Sequence, residues 1–312
     1  MRRPLLGLLA LIAGVTAMAP GVVGETLEEA MVTAYASNPT LLAQRAALRA
    51  TDEGVSQALS GWRPTLSATG EIGKQDVTTE SGFFTSDDVR TPETYSLNLS
   101  QPIFRGWRTV AETAEAENLV RADRAQLAEV EQDVLLQTAT AYMDVLRDQA
   151  VLELAINNEQ RLRRQLEAAQ DRFDVGEVTR TDVAQAEARL SNAIADRIRA
   201  RSDLTSARAT YLNVVGVLPG KLSPPPDMVG LPDAERDAHE IAAEENPTIL
   251  RAVYAERAAR QEVRGAVGGL LPEVSLDADL RRAEDQASRG SLTESASLSA
   301  RITIPLYQAG SA

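Results

Sequence analysis

The chain has 312 residues, a net charge of −13 and a pI near 4.7; it has no basic stripe to neutralise a phosphate backbone, which excludes a nucleic-acid partner. It contains no cysteine, which rules out disulfides and thiolate metal sites, and its single histidine, His239, reads as a surface residue on a polar helix face. Aromatic residues make up 4% of the chain and charged residues 25%, a mix that suits long helices better than a thick globular core.

Residues 1–24 read as a secretory signal peptide, with Arg2 and Arg3 preceding the apolar run 5–15, which is too short to span a bilayer. Cleavage after Gly24, with Val22 and Gly24 at the small-residue positions, starts the mature chain at Glu25. No later stretch is apolar enough for a transmembrane helix, so any membrane crossing must be made by strands.

Asn38-Pro39-Thr40 opens a helix that stops at Gly61, with an N-cap residue followed by proline in the first turn. The period then changes from that of a helix to that of a strand over 64–73, where Leu66, Ala68, Gly70 and Ile72 alternate with Thr65, Ser67, Thr69 and Glu71. The polar stretch 74–93 reads as a long connection to a second strand, 94–103, in which Tyr95, Leu97 and Leu99 share a face. After Gly106 neither proline nor glycine occurs before Gly176. Apolar positions Leu127, Val130, Val134, Ala141, Val145, Leu152, Ala155, Leu162, Leu166, Ala169 and Phe173 follow one another at steps of three, four or seven, a coiled-coil seam. At ~1.5 Å per residue this helix is on the order of 100 Å long. The chain turns on Val175-Gly176-Glu177, and a shorter helix returns from about Thr179 to Val215 through Val183, Ala186, Leu190, Ile194, Ile198, Leu204, Ala207 and Tyr211. Half of the long seam stays unpaired unless the helix at 39–60 stacks end to end on the return helix, both antiparallel to the long one.

The remainder of the chain restates its beginning. Residues 38–73 align without gaps with 246–281, bringing Asn38, Pro39 and Thr40 onto Asn246, Pro247 and Thr248, and Gly61, Pro64 and Ser67 onto Gly269, Pro272 and Ser275. The segment 99–106 likewise matches 302–310 in its proline and the pair that follows. Two more strands result, 272–281 and 296–305, joined by the polar stretch 282–296. The expected organisation is one domain, 25–312, of two structural repeats. The first, about 38–216, holds strands 64–73 and 94–103 and the hairpin 106–215; the second, about 236–312, holds strands 272–281 and 296–305.

All four strands carry one apolar and one polar face, as in surface hairpins of a β-sandwich or in a transmembrane barrel with its apolar face toward lipid. Trp62, Phe104, Trp107 and Tyr307 fall at one end of the strands, where an interfacial aromatic girdle would sit and where a sheet would also meet its helices. Four strands cannot enclose a channel, and eight leave an interior that side chains fill, so a conduit needs a trimer or more. On the lumen side Glu71, Asp277 and Asp279 outnumber Arg301, which predicts a mild preference for cations.

The segments "NPTLLAQRAAL", "WRPTLSATGEIG", "LSQPIFRGWR", "TATAYMDVLR", "RFDVGEVTRTDVAQAEARL" and "LPEVSLDADL…ITIPLYQAG" resemble the TolC family of outer-membrane efflux proteins. The resemblance covers essentially the whole mature chain. It implies a mixed α and β membrane protein in which four transmembrane strands contribute to a trimeric 12-stranded barrel above a periplasmic α-helical tunnel. It further implies a passive exit duct, recruited through a periplasmic adaptor to an inner-membrane transporter, ABC or proton-driven, for efflux or type I secretion. Val175, Gly176, Glu177 and Val178 would then form the adaptor-docking tip, and Thr181 and Asp182 would lie near the tunnel entrance. Glu177 replaces the apolar residue of the family's "VGL" motif, so a basic partner or Val178 would have to serve the contact. Gly176 as a turn residue and Thr179 or Thr181 as a helix cap account for the same residues structurally. The chain ends where a second hairpin should begin, so it reads as C-terminally truncated, and alone it is not expected to form a sealed, gated duct. There is no nucleophile–base pair, phosphate loop, cofactor site or metal cluster, and no enzymatic function is expected. The competing readings are a periplasmic membrane-fusion adaptor, which the duplication disfavours, and a non-transporting coiled-coil tether.

Overall fold

The computed structural model describes residues 25–81, 84–226, 230, 232 and 234–307, apart from the side chains of 79–81 and 84–86; the expected signal peptide and the chain after Tyr307 lie outside them. The elements in order are α1 (Leu27–Ser37), α2 (Pro39–Ser60), β1 (Thr65–Ile72), β2 (Gln75–Ser81), β3 (Phe84–Arg90), β4 (Glu93–Arg105), α3 (Arg108–Asp174), α4 (Arg180–Val215), α5 (Glu235–Glu245), α6 (Pro247–Gly268), β5 (Glu273–Glu284) and β6 (Leu292–Thr303). They form two compact units. Among the described residues, one takes those up to Asn38 and from Leu135 through the loop after α4, and the other takes those of Pro39–Val134 and from α5 through β6. The 67-residue α3 belongs to both.

Helix α1 was not legible from the alternation of residues, yet its start is a complete capping box, with Thr26 as N-cap and Glu29 reaching back to the Thr26 N–H. It has a counterpart: α1 and α5 are both 11 residues long, and α2 and α6 both 22. One common offset carries Leu27 to Glu235, Ser37 to Glu245, Pro39 to Pro247 and Ser60 to Gly268.

In the first unit the C-terminal half of α3 pairs with α4. Its buried line runs through Thr138, Ala141, Val145, Asp148 and Glu159, a heptad seam with polar residues at three of its core positions. A search for apolar residues steps over those three by sevens. On α4 the buried residues are Ala193, Ala200, Leu204, Ala207, Tyr211 and Val215. The expected seam residue Ile198 is instead 56% exposed and Ile194 only half-buried. The buried stripe of α4 is the one carrying the small alanines 193, 200 and 207, and a residue one position off the seam is rotated by roughly 100° away from the partner helix. At the seam's midpoint Glu159 is held by Arg163 at 2.7 Å and by Arg197 of α4.

The end of this seam closes on the first described residue. Glu25 N–H donates to Lys221 O at 2.8 Å, and Ser223 N–H donates to Glu25 O at 3.0 Å. Tyr142 Oη lies 2.8 Å from the Glu25 carbonyl and 2.6 Å from that of Ser223, and Tyr211 donates to Glu25 Oε1 at 2.6 Å. Both tyrosines are fully buried, and the clamp also ties α1 to α4. Burial, followed by the Glu25 carboxylate, pushes the Tyr211 hydroxyl well above its ordinary pKa.

In the second unit α2 and α6 both run antiparallel to the N-terminal part of α3. Arg45 meets Glu131 at 3.7 Å and Asp52 meets Arg124 at 3.8 Å on one side. On the other, Thr248 donates to Glu129 at 3.0 Å and Arg251 lies 3.4 Å from the same carboxylate. The four expected strands form one antiparallel sheet in the order β1-β4-β5-β6. The connection 74–93 is not a plain loop: it contains β2 and β3, which pair with each other as a separate two-stranded ribbon. Val77, Thr78 and Val89 have the β-branched character of a ribbon, but the charges among them hide the alternation. The strands also run longer than expected, β4 to Arg105, β5 to Glu284 and β6 from Leu292, leaving a short turn at 285–291.

Candidate functional site

Strand register determines which residues share a face. Leu66, Leu99, Ala278 and Leu298 form one cross-strand row, and Ala68, Leu97, Leu280 and Ala296 the next, so one face is apolar across all four strands. The opposite face carries Thr65, Ser100, Asp277 and Ser299 in one row and Ser67, Asn98, Asp279 and Ser297 in another. Neither face is covered: Leu66 and Ile302 are each 66% exposed, Leu298 is 72% exposed, and every residue of β6 is exposed. Among the described residues the outer edges of β1 and β6 carry no neighbouring strand in this sheet.

Glu71, Asp277, Asp279 and Arg301 do share the polar face. Asp277 accepts Ser100 Oγ at 2.6 Å and Ser275 Oγ at 3.0 Å, and Arg301 Nε lies 3.5 Å away, so this carboxylate is largely compensated. Arg281 lies on the same face two residues beyond Asp279 and adds a second positive charge to it.

The four aromatic residues lie at the helix-facing end of the sheet: Trp62 before β1, Phe104 at the end of β4, Trp107 after it, and Tyr307 after β6. Phe104 reaches the apolar face only because the β4–β5 register shifts between Pro102 and Phe104; strict alternation would have turned it to the polar face. Its ring meets that of Trp107 edge to face at 5.8 Å, and Trp107 itself has a positive φ of 66°.

The hairpin tip is assembled from two cap motifs. Glu177 N–H donates to Arg172 O at 2.9 Å and Gly176 N–H to Phe173 O at 3.0 Å, a Schellman motif with Gly176 in the left-handed region at φ 81°. Thr179 then caps α4: Asp182 accepts the Thr179 N–H at 2.9 Å and its hydroxyl at 2.7 Å. These bonds from Thr179 hold the Asp182 carboxyl below the usual range. Thr181 is therefore not the cap, and Asp182 is committed to the cap. Val175 is 73% exposed at the apex, Glu177 is exposed beside it and Val178 is half-buried.

Among the described residues no helix is long and apolar enough to cross a membrane, and no cluster of His, Asp and Glu has the spacing of a metal site. His239 is exposed, 3.6 Å from Glu235 on its own helix.

A two-faced sheet, a capped antiparallel hairpin and the long α3 recur in known proteins. Residues 30–217 match the family described as outer membrane efflux protein. The chain belongs to the outer membrane efflux protein family. It is 37% identical over 301 residues to the outer membrane efflux protein BepC of Brucella suis, covering 96% of this chain and 64% of that protein. It is 27% identical over 316 residues to the outer membrane protein TolC of Vibrio cholerae, covering 96% and 68%. Its fold matches that of the Campylobacter jejuni CmeC outer membrane channel with a TM-score of 0.78 at 13% identity, covering 91% of this chain and 62% of the channel. The chain thus spans less than two thirds of the length of BepC.

Proposed function

We propose that this chain supplies one protomer of an outer-membrane duct, with the apolar face of the β1-β4-β5-β6 sheet toward lipid and its polar face toward the lumen. The observation that carries the reading is the continuity of apolar rows across four strands that are solvent-exposed on both faces and open at both edges. A β-sandwich would cover one face; a barrel covers the apolar face with lipid and removes the edges by closure. Pairing β6 of one copy with β1 of the next in a trimer gives the 12 strands that leave a conduit. The exposed stripe of Leu136, Met143, Val151 and Leu154 on α3 supports a helical wall with neighbours on a second side. The common offset that relates α1–α2 to α5–α6 supports a duplicated unit.

On this reading the duct is passive and serves an inner-membrane transporter in efflux or type I secretion through a periplasmic adaptor that docks on Val175, Gly176, Glu177 and Val178. With Arg281 on the same face as Glu71 and Asp279, and Asp277 paired to Arg301, cation preference is weak. Trp62, Phe104, Trp107 and Tyr307 mark the lipid interface.

The cysteine-free chain makes the test direct. Single cysteines at Ser67 in β1 and at Ser297, Ser299 or Arg301 in β6 are combined in the full-length protein and oxidised in cells. A dimer and trimer ladder in the outer-membrane fraction is expected for one register; a soluble periplasmic product, or monomer alone at every register, would overturn the barrel. Docking is probed by Val175→Asp and Glu177→Arg, which leave the Gly176 turn intact. Undiminished cross-linking of both to the adaptor would remove the tip assignment.

A further inference from the structure

At one end of the sheet the base of the β2–β3 ribbon meets the turn between β5 and β6. The turn between β5 and β6 is organised from within. Asp285 has a positive φ of 54° and donates its N–H to Ser291 O at 2.8 Å, while its carboxylate accepts the Gly290 N–H. Ser291 Oγ accepts the N–H groups of Ala287 and Ser288, each at 3.3 Å. This arrangement turns the carbonyls of Gln286 and Ala287 in one direction, and Arg90 Nη1, at the base of the β2–β3 ribbon, lies 2.7 Å from both. The contact is reciprocal, because Arg289 Nη2 donates to Val89 O at 2.8 Å. Arg90 is mostly enclosed, its side chain only 13% exposed, with Asp88 at 3.7 Å as its nearest carboxylate.

The same turn reaches down onto the polar face. Gln286 Nε2 donates to Thr94 Oγ1 at 3.2 Å, and its Oε1 accepts Arg281 Nη2 at 3.2 Å. A cavity of about 620 Å³ lies beside it, lined by Glu71, Lys74, Thr94, Arg281, Gln286 and Thr293. The ribbon is joined to the sheet only through 73–74 and 91–92, where Gly73 N–H donates to Pro92 O at 3.0 Å. A two-stranded ribbon on so narrow a base is marginal by itself and free to swing. Guanidinium groups held by backbone carbonyls restrain it with charge-assisted bonds and a planar geometry that lysine cannot reproduce.

We infer that the reciprocal Arg90 and Arg289 clasp between the β2–β3 ribbon and the 285–291 turn is a strap that fixes a constriction at the outer mouth of the polar face. The strap restrains the width of the opening available to solutes leaving the lumen. The inference rests on the reading of the polar face as the lumen, and it assigns the outer restriction to two arginines, one from each loop.

The test uses the full-length trimer in planar bilayers. Arg90→Ala/Arg289→Ala is expected to raise single-channel conductance and to expose 75–92 to protease several-fold faster than in the wild type, whereas Arg199→Ala, on exposed α4, changes neither. Arg90→Lys, which keeps the charge but loses the two-carbonyl grip, is expected to behave like Arg90→Ala. An Arg90→Cys/Ala287→Cys pair reports within one folded protein: wild-type conductance when oxidised, and a rise after reduction. Wild-type conductance in the double alanine variant would overturn the strap as a constriction even if proteolysis accelerated. So would identical conductance of the cysteine pair in both states. Failure of the wild type to conduct at all would instead refute the duct reading, which separates the two ideas.

Discussion

The contact between Gly106 and Gly268 sets a steep and testable order of stabilities. Gly268 is the last residue of α6, and a Cβ there would lie 2.5 Å from Gly106 O and 3.3 Å from Arg108 N. Gly106 turns the chain from β4 into α3 at φ 59°, and a Cβ there would lie 2.2 Å from Gly268 O and 2.9 Å from Leu271 Cβ. In both cases the obstacle includes backbone, which no rotamer change relieves. For Gly268→Ala a helix gain of about 1 kcal/mol opposes an overpacking cost of ~1–3 kcal/mol, a net loss of about 0–2 kcal/mol. Gly106→Ala gains nothing: the left-handed backbone costs ~1–2 kcal/mol and the collision up to about 3 kcal/mol more. Gly54→Ala is the control. It lies within α2 with no atom within 4 Å of the added methyl, and stabilisation of up to about 1 kcal/mol is expected. Thermal unfolding in detergent, followed by helical circular dichroism, ranks the variants at roughly 2–4 °C per kcal/mol. Because both alanines force apart the same gap, the double variant should fall short of the sum by at least about 0.5 kcal/mol. A Gly106→Ala protein that melts with the wild type, or a strictly additive pair, would refute the contact.

Tyr211→Phe removes a buried hydrogen bond to the Glu25 carboxylate and should cost about 1.5–3 kcal/mol by the same melting assay. Because the folded state raises the Tyr211 pKa, the associated stability is complete below the unfolded value near 10 and is lost as pH rises beyond it; Phe should blunt this alkaline loss. Glu115 is raised first by burial and then by Glu262 and Glu112, so its stability contribution is present below the ordinary carboxylate range and lost as pH rises through the shifted value. Glu115→Gln should therefore melt higher than wild type at pH 7 and lose that advantage near pH 4, and an unchanged melting point at pH 7 would contradict the placement. Glu159→Ala strands Arg197 in the seam and should destabilise by ~1–3 kcal/mol, whereas Glu159→Met/Arg197→Met, replacing both charges with apolar volume, should recover most of that loss in equilibrium unfolding.

Several parts of the architecture were legible from residues alone because local chemistry decides them. The Asn-Pro-Thr helix starts and the Gly176 turn are capping and backbone-angle problems, solved within a few residues. The period-2 segments located all four sheet strands, since the face of each strand is printed in its alternation. Reading failed where a residue's role depends on a partner far along the chain. Ile194 and Ile198 are as apolar as any seam residue, but α3 faces the alanine stripe beside them. Thr138, Asp148 and Glu159 are core positions despite their polarity, and only the heptad count beneath the apolar spacing could have signalled them. Alternation placed Glu71, Asp277, Asp279 and Arg301 on one polar face, and Arg281 joins them there by the same alternation.

By itself the sequence determined the extents of α2, α3, α4 and α6, the turn between α3 and α4, and the alternation of each sheet strand. Each of these depends on residues within one or two turns of each other or on alternation along one strand. Only the tertiary structure decided which helical stripe is buried, where β4 shifts register to keep Phe104 on the apolar face, and that Glu25 is clamped by Tyr142 and Tyr211. The same holds for the bond between Arg90 and the turn after β5, nearly two hundred residues away. Such contacts come from backbone carbonyls and close approach between distant segments, and those leave no periodic trace in the chain.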